Sequence, residues 1–289
     1  MRSSSPLISI HLINYNCQPF LKQAVESALQ QSLTDFELII ADDGSQDESQ
    51  NLIKSFRDPR IRTFLNAHWG LEKSRQWVLN HSRGKWTAIF DADDISKANR
   101  LEILLKLALE TQAVIVGGQI EEIDENGTYL SSPMLYSLDE EEIRQRLGKK
   151  YSVCHGASIY LTDLARAVGG YRVQTNGLGE DEDLFIRMSK KGRVVNSKKI
   201  VLQRRIRRGS VCNHFQSRVV SIFPPGQEAA LDSIYWARVA KSYFRGKQYR
   251  LAENAFQKSL EAHWGNPGAY WGLLMIIFNK VLNKFRKGA

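Results

Sequence analysis

Short apolar runs alternate with amphipathic segments through the first 120 residues of this 289-residue chain. The apolar runs are nearly continuous, which is typical of strands buried on both faces of a parallel sheet. They lie at residues 7–13, 36–41, 61–65, 86–90 and 113–116. The segments between them carry apolar side chains at helical spacing, as Leu21, Val25 and Leu29 do. This alternation predicts a doubly wound α/β fold, with a mainly parallel sheet flanked by helices and ligands bound beyond the carboxyl ends of its strands.

The pattern changes in the second half of the chain. After Gly118 the residues predict a hairpin turn followed by a helix, a strand and a helix, at 138–147, 157–161 and 180–191. The Pro-Pro-Gly sequence at 224–226 then breaks the chain, and only helical patterns follow. We therefore expect one domain over residues 1–223 and a small all-α extension over residues 224–289.

The extension resembles one tetratricopeptide (TPR-like) helix pair in its aromatic and small residues, which are Trp236, Tyr243, Ala252, Phe256 and Leu260. A plain helical hairpin fits as well, because one and a half repeats cannot form a solenoid alone. Beyond this pair, residues 275–287 combine apolar side chains with four basic ones. That composition is compatible with peripheral contact with an anionic membrane, or with an ordinary packed terminal helix.

Positive charge is concentrated in one stretch. The chain carries 40 Lys and Arg against 31 Asp and Glu, a net charge of +9, but residues 184–227 contain eleven basic residues and no acidic one. The remainder therefore has 29 basic and 31 acidic residues, a balance of −2. A basic protein can bind nucleic acid, an anionic membrane or a phosphorylated substrate. No nucleic-acid reading motif is present, so we expect no nucleic-acid partner.

Cysteine usage and hydropathy indicate a cytoplasmic protein. Cys17, Cys154 and Cys212 are odd in number and have no metal-binding or redox spacing, so we expect reduced thiols. The most apolar segment, residues 270–278, has about half the length that a membrane-spanning helix needs. The expected location is the cytoplasm, with the inner face of the membrane as the place of any peripheral contact.

Two acidic clusters follow predicted strands. One is Asp42–Asp43–Gly44–Ser45 and the other is Asp91–Ala92–Asp93–Asp94. Alternate residues of an extended segment point the same way, so Asp91 and Asp93 can face one site together. Their hard oxygens suit Mg²⁺ or Mn²⁺, which bind one or two carboxylates together with substrate phosphates. The alternative is that these aspartates only form turns and helix caps.

A third acidic cluster, Glu180–Asp181–Glu182–Asp183, begins a predicted helix. Adjacent carboxylates repel one another and raise each other's pKa, which favours a general base or a general acid. The alternative is that acidic residues accumulate at a helix N-terminus because the helix dipole attracts them.

Taken in order, these motifs resemble the family-2 glycosyltransferases of GT-A fold. The motifs are Asn14–Tyr15–Asn16 after the first strand, Ala41–Asp42–Asp43–Gly44–Ser45 after the second, the Asp91–Asp94 cluster after the fourth, and Gly179–Glu180–Asp181. The resemblance covers about residues 6–212. It implies a GT-A fold and transfer of a sugar from a nucleotide-sugar donor.

The resemblance also implies roles for individual residues. Tyr15 matches the residue that lies against the nucleotide base, Asp42 the carboxylate that accepts a hydrogen bond from uracil, and Arg75 an arginine near that base. Asp91 and Asp93 match the family's DxD motif, with Asp93 as the metal ligand and Asp91 nearer the ribose or donor sugar.

On the acceptor side, Asp181 matches the general base, and Glu180 lies beside it. One departure concerns a basic element near the diphosphate. Arg207 stands in Arg204–Ser210 where many relatives have a His, and an arginine can clamp phosphate but cannot ligate a metal. His214 is nearby and is a second candidate for that role.

The resemblance, together with the acidic clusters, implies an inverting, hexosyltransferase-type enzyme that uses Mn²⁺ or Mg²⁺. It would move a sugar from a nucleotide-diphosphate donor, a UDP-sugar by preference, to a glycan or lipid-linked acceptor in polysaccharide biosynthesis. Two alternatives stay open. A nucleotidyltransferase would share the sheet but would need a Gly-rich basic loop after the first strand, where residues 14–18 have neither feature. A non-catalytic binding protein would use the basic stretch or the helical repeat.

Overall fold

A computed structural model of the chain describes residues 5–132, 136–148, 152–173, 179–208, 228–262 and 269–276. The chain divides into two compact units. Unit 1 comprises Met1–Ile120 and Met134–Gln203, and unit 2 comprises Glu121–Pro133 and Arg204–Ala289. The predicted domain boundary after residue 223 lies outside the described residues.

The parallel half of the sheet in unit 1 consists of four strands that the apolar runs of the sequence predict. Its strands are β1 (Ile8–Asn14), β2 (Phe36–Asp42), β3 (Ile61–Leu65) and β4 (Trp86–Asp91). β1 pairs in parallel with β2 and β4, and β2 pairs in parallel with β3. Every residue of β2 is buried, as expected for a strand covered on both faces. The register sets the ends of β1, β2 and β4 side by side, since Asn14 pairs with Asp42 and Ile13 with Asp91.

Three helices connect these strands, and a fourth follows them in the chain. They are α1 (Gln18–Leu29), α2 (Ser49–Ser55), α3 (Leu71–His81) and α4 (Arg100–Thr111). α1 buries Leu21, Ala24, Val25 and Ala28, the predicted stripe at three- and four-residue spacing. These side chains join the main core with Leu12, Leu38 and Phe90 of the strands.

The other half of the sheet is antiparallel. It contains β5 (Ile95–Ser96), β6 (Ala113–Ile123), β7 (Tyr129–Ser131), β8 (Ser158–Leu161) and β9 (Arg193–Arg205). Nine strands of the described chain form one sheet in the order β3-β2-β1-β4-β8-β6-β9-β5, with β7 paired to β6. β8 runs antiparallel to both β4 and β6. The α/β class is therefore confirmed, with a sheet that is mixed.

Three helices lie in the second half of unit 1, and the first and third are close to the predicted positions, whereas the second was not predicted. They are α5 (Glu140–Arg146), α6 (Thr162–Ala167) and α7 (Glu180–Ser189), and a short 3₁₀ turn at His155–Ala157 precedes β8. The sequence did not lead us to expect β9, because seven basic side chains between 193 and 208 masked its buried residues. Those buried residues include Val194, Val195, Val201 and Leu202.

Unit 2 contains the predicted helix pair, α8 (Glu228–Arg245) and α9 (Tyr249–Ala262). Its core joins Tyr235, Val239, Ala252 and Phe256 of the helices with Leu130 of β7. The helix pair is confirmed, and its assignment to a tetratricopeptide repeat stays a prediction. Residues 277–289, which include most of the basic tail, lie outside the described residues.

A buried carboxylate, Glu122, holds unit 2 together. One of its oxygens accepts a hydrogen bond from Arg204, and the other accepts from Ser131 (3.2 Å), Ser242 (2.6 Å) and Arg245. Burial alone would raise the pKa of Glu122, but the two arginines and the Ser242 hydroxyl outweigh it and lower this pKa to about 2. The carboxylate thus connects β6, β7, β9 and α8.

Three arginines of the basic stretch are engaged within unit 2. Arg204 pairs with Glu122, and Arg205 donates to the carbonyls of Asp124 (3.1 Å) and Glu125 (3.0 Å). Arg208 pairs with Glu125 and Asp232 and lies 4.4 Å from the centroid of the Tyr235 ring. Part of the local charge excess is therefore neutralised inside this unit.

Within the part of the chain that the structure describes, no helix is long and apolar enough to cross a membrane. Cys17 and Cys154 form no disulfide with any described residue, and Cys212 lies outside that part.

Replacing Glu122 by Gln should remove an acid-sensitive contribution to folding. The pKa of Glu122 is lower in the folded than in the unfolded chain, so the stabilisation is complete above about pH 4.5 and is lost as the pH falls toward about 2. Its size is about 3 kcal/mol, from roughly 1.4 kcal/mol per unit of pKa. In thermal melts, Glu122→Gln should melt lower than wild type at neutral pH, and the difference should shrink in acid.

Glu261→Gln, at an exposed position of α9, is the matched control and should melt like wild type at every pH. A wild type and a Glu122→Gln variant with the same loss of stability in acid would contradict this role of Glu122.

Candidate active site

Asp42, at the end of β2, lies at the centre of a hydrogen-bonded loop. Its Oδ1 accepts from the Ser45 amide and the Gln50 side chain, both at 2.9 Å. Its Oδ2 accepts from the Asn14 side chain at 2.7 Å and the Ser45 hydroxyl at 2.6 Å. The side chain has no solvent exposure, and these four bonds occupy the lone pairs of a carboxylate. Asp42 therefore ties the end of β1 to the loop after β2.

Asp43 organises the next loop in the same way. Its carboxylate accepts hydrogen bonds from the amides of Trp69 (2.9 Å) and Gly70 (3.0 Å) and from the Ser74 hydroxyl (2.7 Å). These bonds fix the segment between β3 and α3. Gly44 has φ +80° and lies close to this segment, since a Cβ on it would be 2.6 Å from the backbone nitrogen of His68. Only glycine fits there without strain.

Two aromatic rings meet above these loops. The rings of Tyr15 and His68 stack with their centroids 4.5 Å apart and an angle of 24° between their planes. Tyr15 is 42% exposed, and the His68 side chain is 60% exposed. The structure therefore places the predicted base-binding Tyr15 at the surface, on the same sheet edge as Asp42.

The second acidic cluster follows β4. The Asp91 side chain is 46% exposed, whereas Asp94 is buried. The partly buried setting raises the pKa of Asp91, and the charges of Asp93 and Asp181 raise it further, against the opposing effect of Arg75. Asp91, Asp93 and Asp181 are thus close enough to interact electrostatically, although α7 is about 90 residues away in sequence.

Arg75 of α3 is a buried cation between carboxylates. It pairs with Glu180 of α7, and its Nη2 lies 3.6 Å from Asp91 Oδ1. Burial opposes its charge, but Glu180, Asp91 and Asp181 raise the pKa of Arg75 above its ordinary value. The guanidinium therefore links α3, the end of β4 and the start of α7. The structure places Arg75 among these carboxylates, and its predicted contact with the base stays a prediction.

The N-terminus of α7 provides the third acidic group. Burial raises the pKa of Glu180, with Arg75 opposing the shift and Asp181 adding to it. Asp181 Oδ1 accepts a hydrogen bond from the Glu182 amide at 2.8 Å. The opposite end of α7 is fixed to the α6 region, because Arg187 pairs with Asp183 and donates to the Val168 carbonyl at 2.6 Å.

Sequence reasoning missed two buried polar groups beneath the site. Arg100 is 1% exposed and donates to the carbonyls of Ile89 and Ser158. Burial lowers the pKa of Arg100 to about 10, against the effect of nearby anionic groups. The sequence feature that could have indicated this buried arginine is the position of Arg100, which follows the acidic cluster that ends at Asp94 and precedes the apolar residues of α4.

The other buried polar group consists of three aromatic side chains, His155, Tyr171 and Tyr160, connected by hydrogen bonds. His155 Nε2 bonds the Tyr171 hydroxyl at 2.8 Å, which in turn bonds the Tyr160 hydroxyl at 3.0 Å. Burial lowers the pKa of His155 well below its usual range, so its ring is neutral. The next residue, Gly156, approaches the site directly, since a Cβ on it would lie 2.7 Å from Asp91 Oδ2. The sequence contains no pattern that predicts the close contact between Gly156 and Asp91.

Arg207 belongs to unit 2, where its Nη1 donates to the Arg208 carbonyl at 3.2 Å. Its predicted contact with the donor phosphates stays a prediction. Gly209, Ser210 and the second candidate, His214, lie outside the described residues.

Asp91 and Asp93 are the residues that could hold a divalent metal. The described residues contain no group of three or more His, Cys, Asp and Glu side chains that could form a complete metal site. Mg²⁺ and Mn²⁺ commonly bind one or two carboxylates and take their remaining ligands from phosphates and water. The donor set of the second cluster therefore fits a metal that binds together with a diphosphate.

The chain is similar to known glycosyltransferases. The model of the family described as "Glycosyl transferase family 2" matches residues 9–169. EpsE of Bacillus subtilis (strain 168) is 31% identical over 196 residues, which cover 66% of this chain and 69% of EpsE. WfgD of Escherichia coli, a UDP-Glc:alpha-D-GlcNAc-diphosphoundecaprenol beta-1,3-glucosyltransferase, is 31% identical over 121 residues, which cover 42% of this chain and 48% of WfgD.

Solved structures support the fold. S. aureus TarS 1–349, crystallised in complex with UDP-GlcNAc, superposes with a TM-score of 0.58 at 17% identity. The match covers 88% of this chain and 81% of that one. The chain spans between 18% and 48% of the length of seven other curated relatives that it matches.

The family match shows a sugar-transferring enzyme, and the mixed α/β sheet is similar to that of TarS. The chain belongs to glycosyltransferase family 2.

Removing the Arg75 cation should destabilise unit 1. Arg75→Met leaves Glu180 and Asp91 without their buried partner, which typically costs about 3–5 kcal/mol. Neutralising Glu180 as well should recover part of this loss, because fewer unpaired charges remain. Denaturant unfolding of wild type, Arg75→Met, Glu180→Gln and the double variant measures the coupling. If the free-energy losses of the two single variants add within about 0.5 kcal/mol in the double variant, the proposed pairing of Arg75 with Glu180 is contradicted.

Proposed function

We propose that this enzyme is an inverting, divalent-metal-dependent glycosyltransferase that moves a sugar from a UDP-sugar to a glycan or lipid-linked acceptor. The observation that carries the proposal is the meeting of Asp91, Asp181 and Glu180 around the buried Arg75. WfgD, which uses a UDP-sugar and a lipid-diphosphate-linked acceptor by its name, and TarS, crystallised with UDP-GlcNAc, support the choice of substrates.

The donor side consists of Tyr15, Asp42, Arg75 and Asp91. Tyr15 offers an exposed ring to the base, and Asp42 holds the loop that carries it. Asp91 lies nearer the ribose and sugar, with Arg75 fixing one of its oxygens. Arg207 is proposed to meet the diphosphate, because a guanidinium binds phosphate through two parallel hydrogen bonds.

Asp93 is proposed to hold the metal together with the diphosphate oxygens. When bound, a divalent ion stabilises the negative charge of the leaving diphosphate as a Lewis acid. The binding fits the chemistry of the cluster, since the carboxylates of Asp91 and Asp93 offer hard oxygen ligands. The predicted extended segment is wrong, because β4 ends at Asp91 and the Asp94 amide donates to the Asp91 carbonyl (3.2 Å) in a turn.

Asp181 is proposed to be the general base. It takes the proton of the acceptor hydroxyl while that oxygen forms a bond to the anomeric carbon. The bond from this carbon to the diphosphate oxygen breaks on the opposite side, and the electron pair leaves with the nucleoside diphosphate. One displacement inverts the anomeric centre without a covalent intermediate. Glu180 lies on the acceptor side, where Arg75 holds it in place.

Replacing Asp181 by Asn should lower kcat by roughly 10²–10⁴, because proton removal from the acceptor is lost. Asp93→Asn should abolish the metal-dependent part of the rate. Both are measured as turnover of a panel of UDP-sugars with Mn²⁺. Asp163→Asn is the control, since this carboxylate of α6 is 93% exposed and pairs only with Arg166 on its own helix. Wild-type activity in the Asp93 or Asp181 variant would refute the corresponding role.

A further inference from the structure

The stacked rings of Tyr15 and His68 carry polar atoms that could bind a ligand. Neither the Tyr15 hydroxyl nor His68 Nε2 has a hydrogen-bond partner among the described residues. Their rings lie in the offset-stacked arrangement that aromatic pairs prefer. The pair is thus an exposed aromatic surface at the end of β1, next to the loop that Asp42 holds.

His68 is fixed by bonds that do not involve Tyr15. Its Nδ1 bonds the Asp43 carbonyl at 2.9 Å and lies 3.1 Å from Asp43 Oδ2. Its neighbours Trp69 and Gly70 donate their amides to the same aspartate. The ring is therefore positioned before any ligand binds, which reduces the entropy that binding costs.

The bond to Asp43 also determines which ring nitrogen carries the hydrogen. A carbonyl oxygen only accepts, so Nδ1 is the donor, and in the neutral ring Nε2 keeps its lone pair. Asp42, by contrast, has no exposed oxygen, and four hydrogen bonds use its acceptor capacity. His68 Nε2 therefore offers an exposed acceptor on the ring that stacks against Tyr15.

We propose that His68 is a second base-recognition residue, whose ring lies edge to edge with a uracil stacked on Tyr15 and accepts a hydrogen bond from the imide N–H of that base. Cytosine has no N–H at that ring position, so the contact favours uridine over cytidine nucleotides. The inference rests on the proposed function, because it assigns the base of the nucleotide donor to this surface.

The test is calorimetric titration of wild type, His68→Ala and His68→Phe with UDP and CDP in the presence of Mn²⁺. His68→Ala removes both the acceptor and the ring that stacks on Tyr15, and it should weaken UDP binding about tenfold, which corresponds to about 1.4 kcal/mol. His68→Phe keeps the ring and should retain most of the affinity but bind UDP and CDP equally. In turnover assays His68→Ala should raise KM for the donor with kcat changed less than about twofold.

His81→Ala is the matched control. His81 also stacks on an aromatic ring, that of Trp77 (3.7 Å, 20°), and bonds a carbonyl through Nδ1 at 2.8 Å. It ends α3, about 15 Å along the helix from the His68 loop at a rise of 1.5 Å per residue. UDP affinity should be unchanged in this variant.

Unchanged UDP affinity in His68→Ala, with wild type binding UDP, would overturn the role of His68 and leave the proposed function intact. A preserved preference for UDP in His68→Phe would overturn the hydrogen bond to the base. A wild type that binds neither nucleotide would overturn the proposed function together with this inference.

Discussion

The site depends first on the hydrogen bonds of two adjacent buried carboxylates, Asp42 and Asp43. An isolated buried charge is costly, so each carboxylate must be satisfied by several donors. Asp42 draws its donors from the ends of β1 and β2 and from α2, and Asp43 draws them from the start of α3. Satisfying these two charges therefore orders three loops at one edge of the sheet, where a parallel α/β fold binds its ligands.

A second electrostatic constraint joins distant parts of unit 1. Asp91, Glu180 and Asp181 repel one another, and Arg75 offsets this repulsion from a buried position. The same cation brings the start of α7, which carries the proposed base, to the end of β4, which carries the proposed donor and metal carboxylates. Arg75 therefore contributes to folding and to the proposed chemistry, because it lies between the carboxylates to which the transfer roles are assigned by proposal.

The sequence allowed prediction of the parts of the structure that rest on local periodicity. The parallel strands, α1 with its buried stripe and the acidic residues at strand ends all follow from spacing within a few residues. β9 and the pairings of Arg204, Arg205 and Arg208 did not follow, because basic side chains conceal a buried strand whose partners come from residues 122–125 and 232. Gly156 and His68 were missed for a similar reason, since their importance lies in contacts with Asp91 and Asp43 that sequence distance hides.

If the ends of β1, β2 and β4 bind one nucleoside diphosphate together with a metal, a crystal soaked with UDP and MnCl₂ should show both ligands when diffraction is recorded at the manganese edge. We expect an anomalous peak in contact with Asp93 and the diphosphate, and density for uracil against Tyr15 and His68. A bound UDP whose base lies away from Tyr15, or whose manganese contacts neither Asp91 nor Asp93, would contradict this expectation.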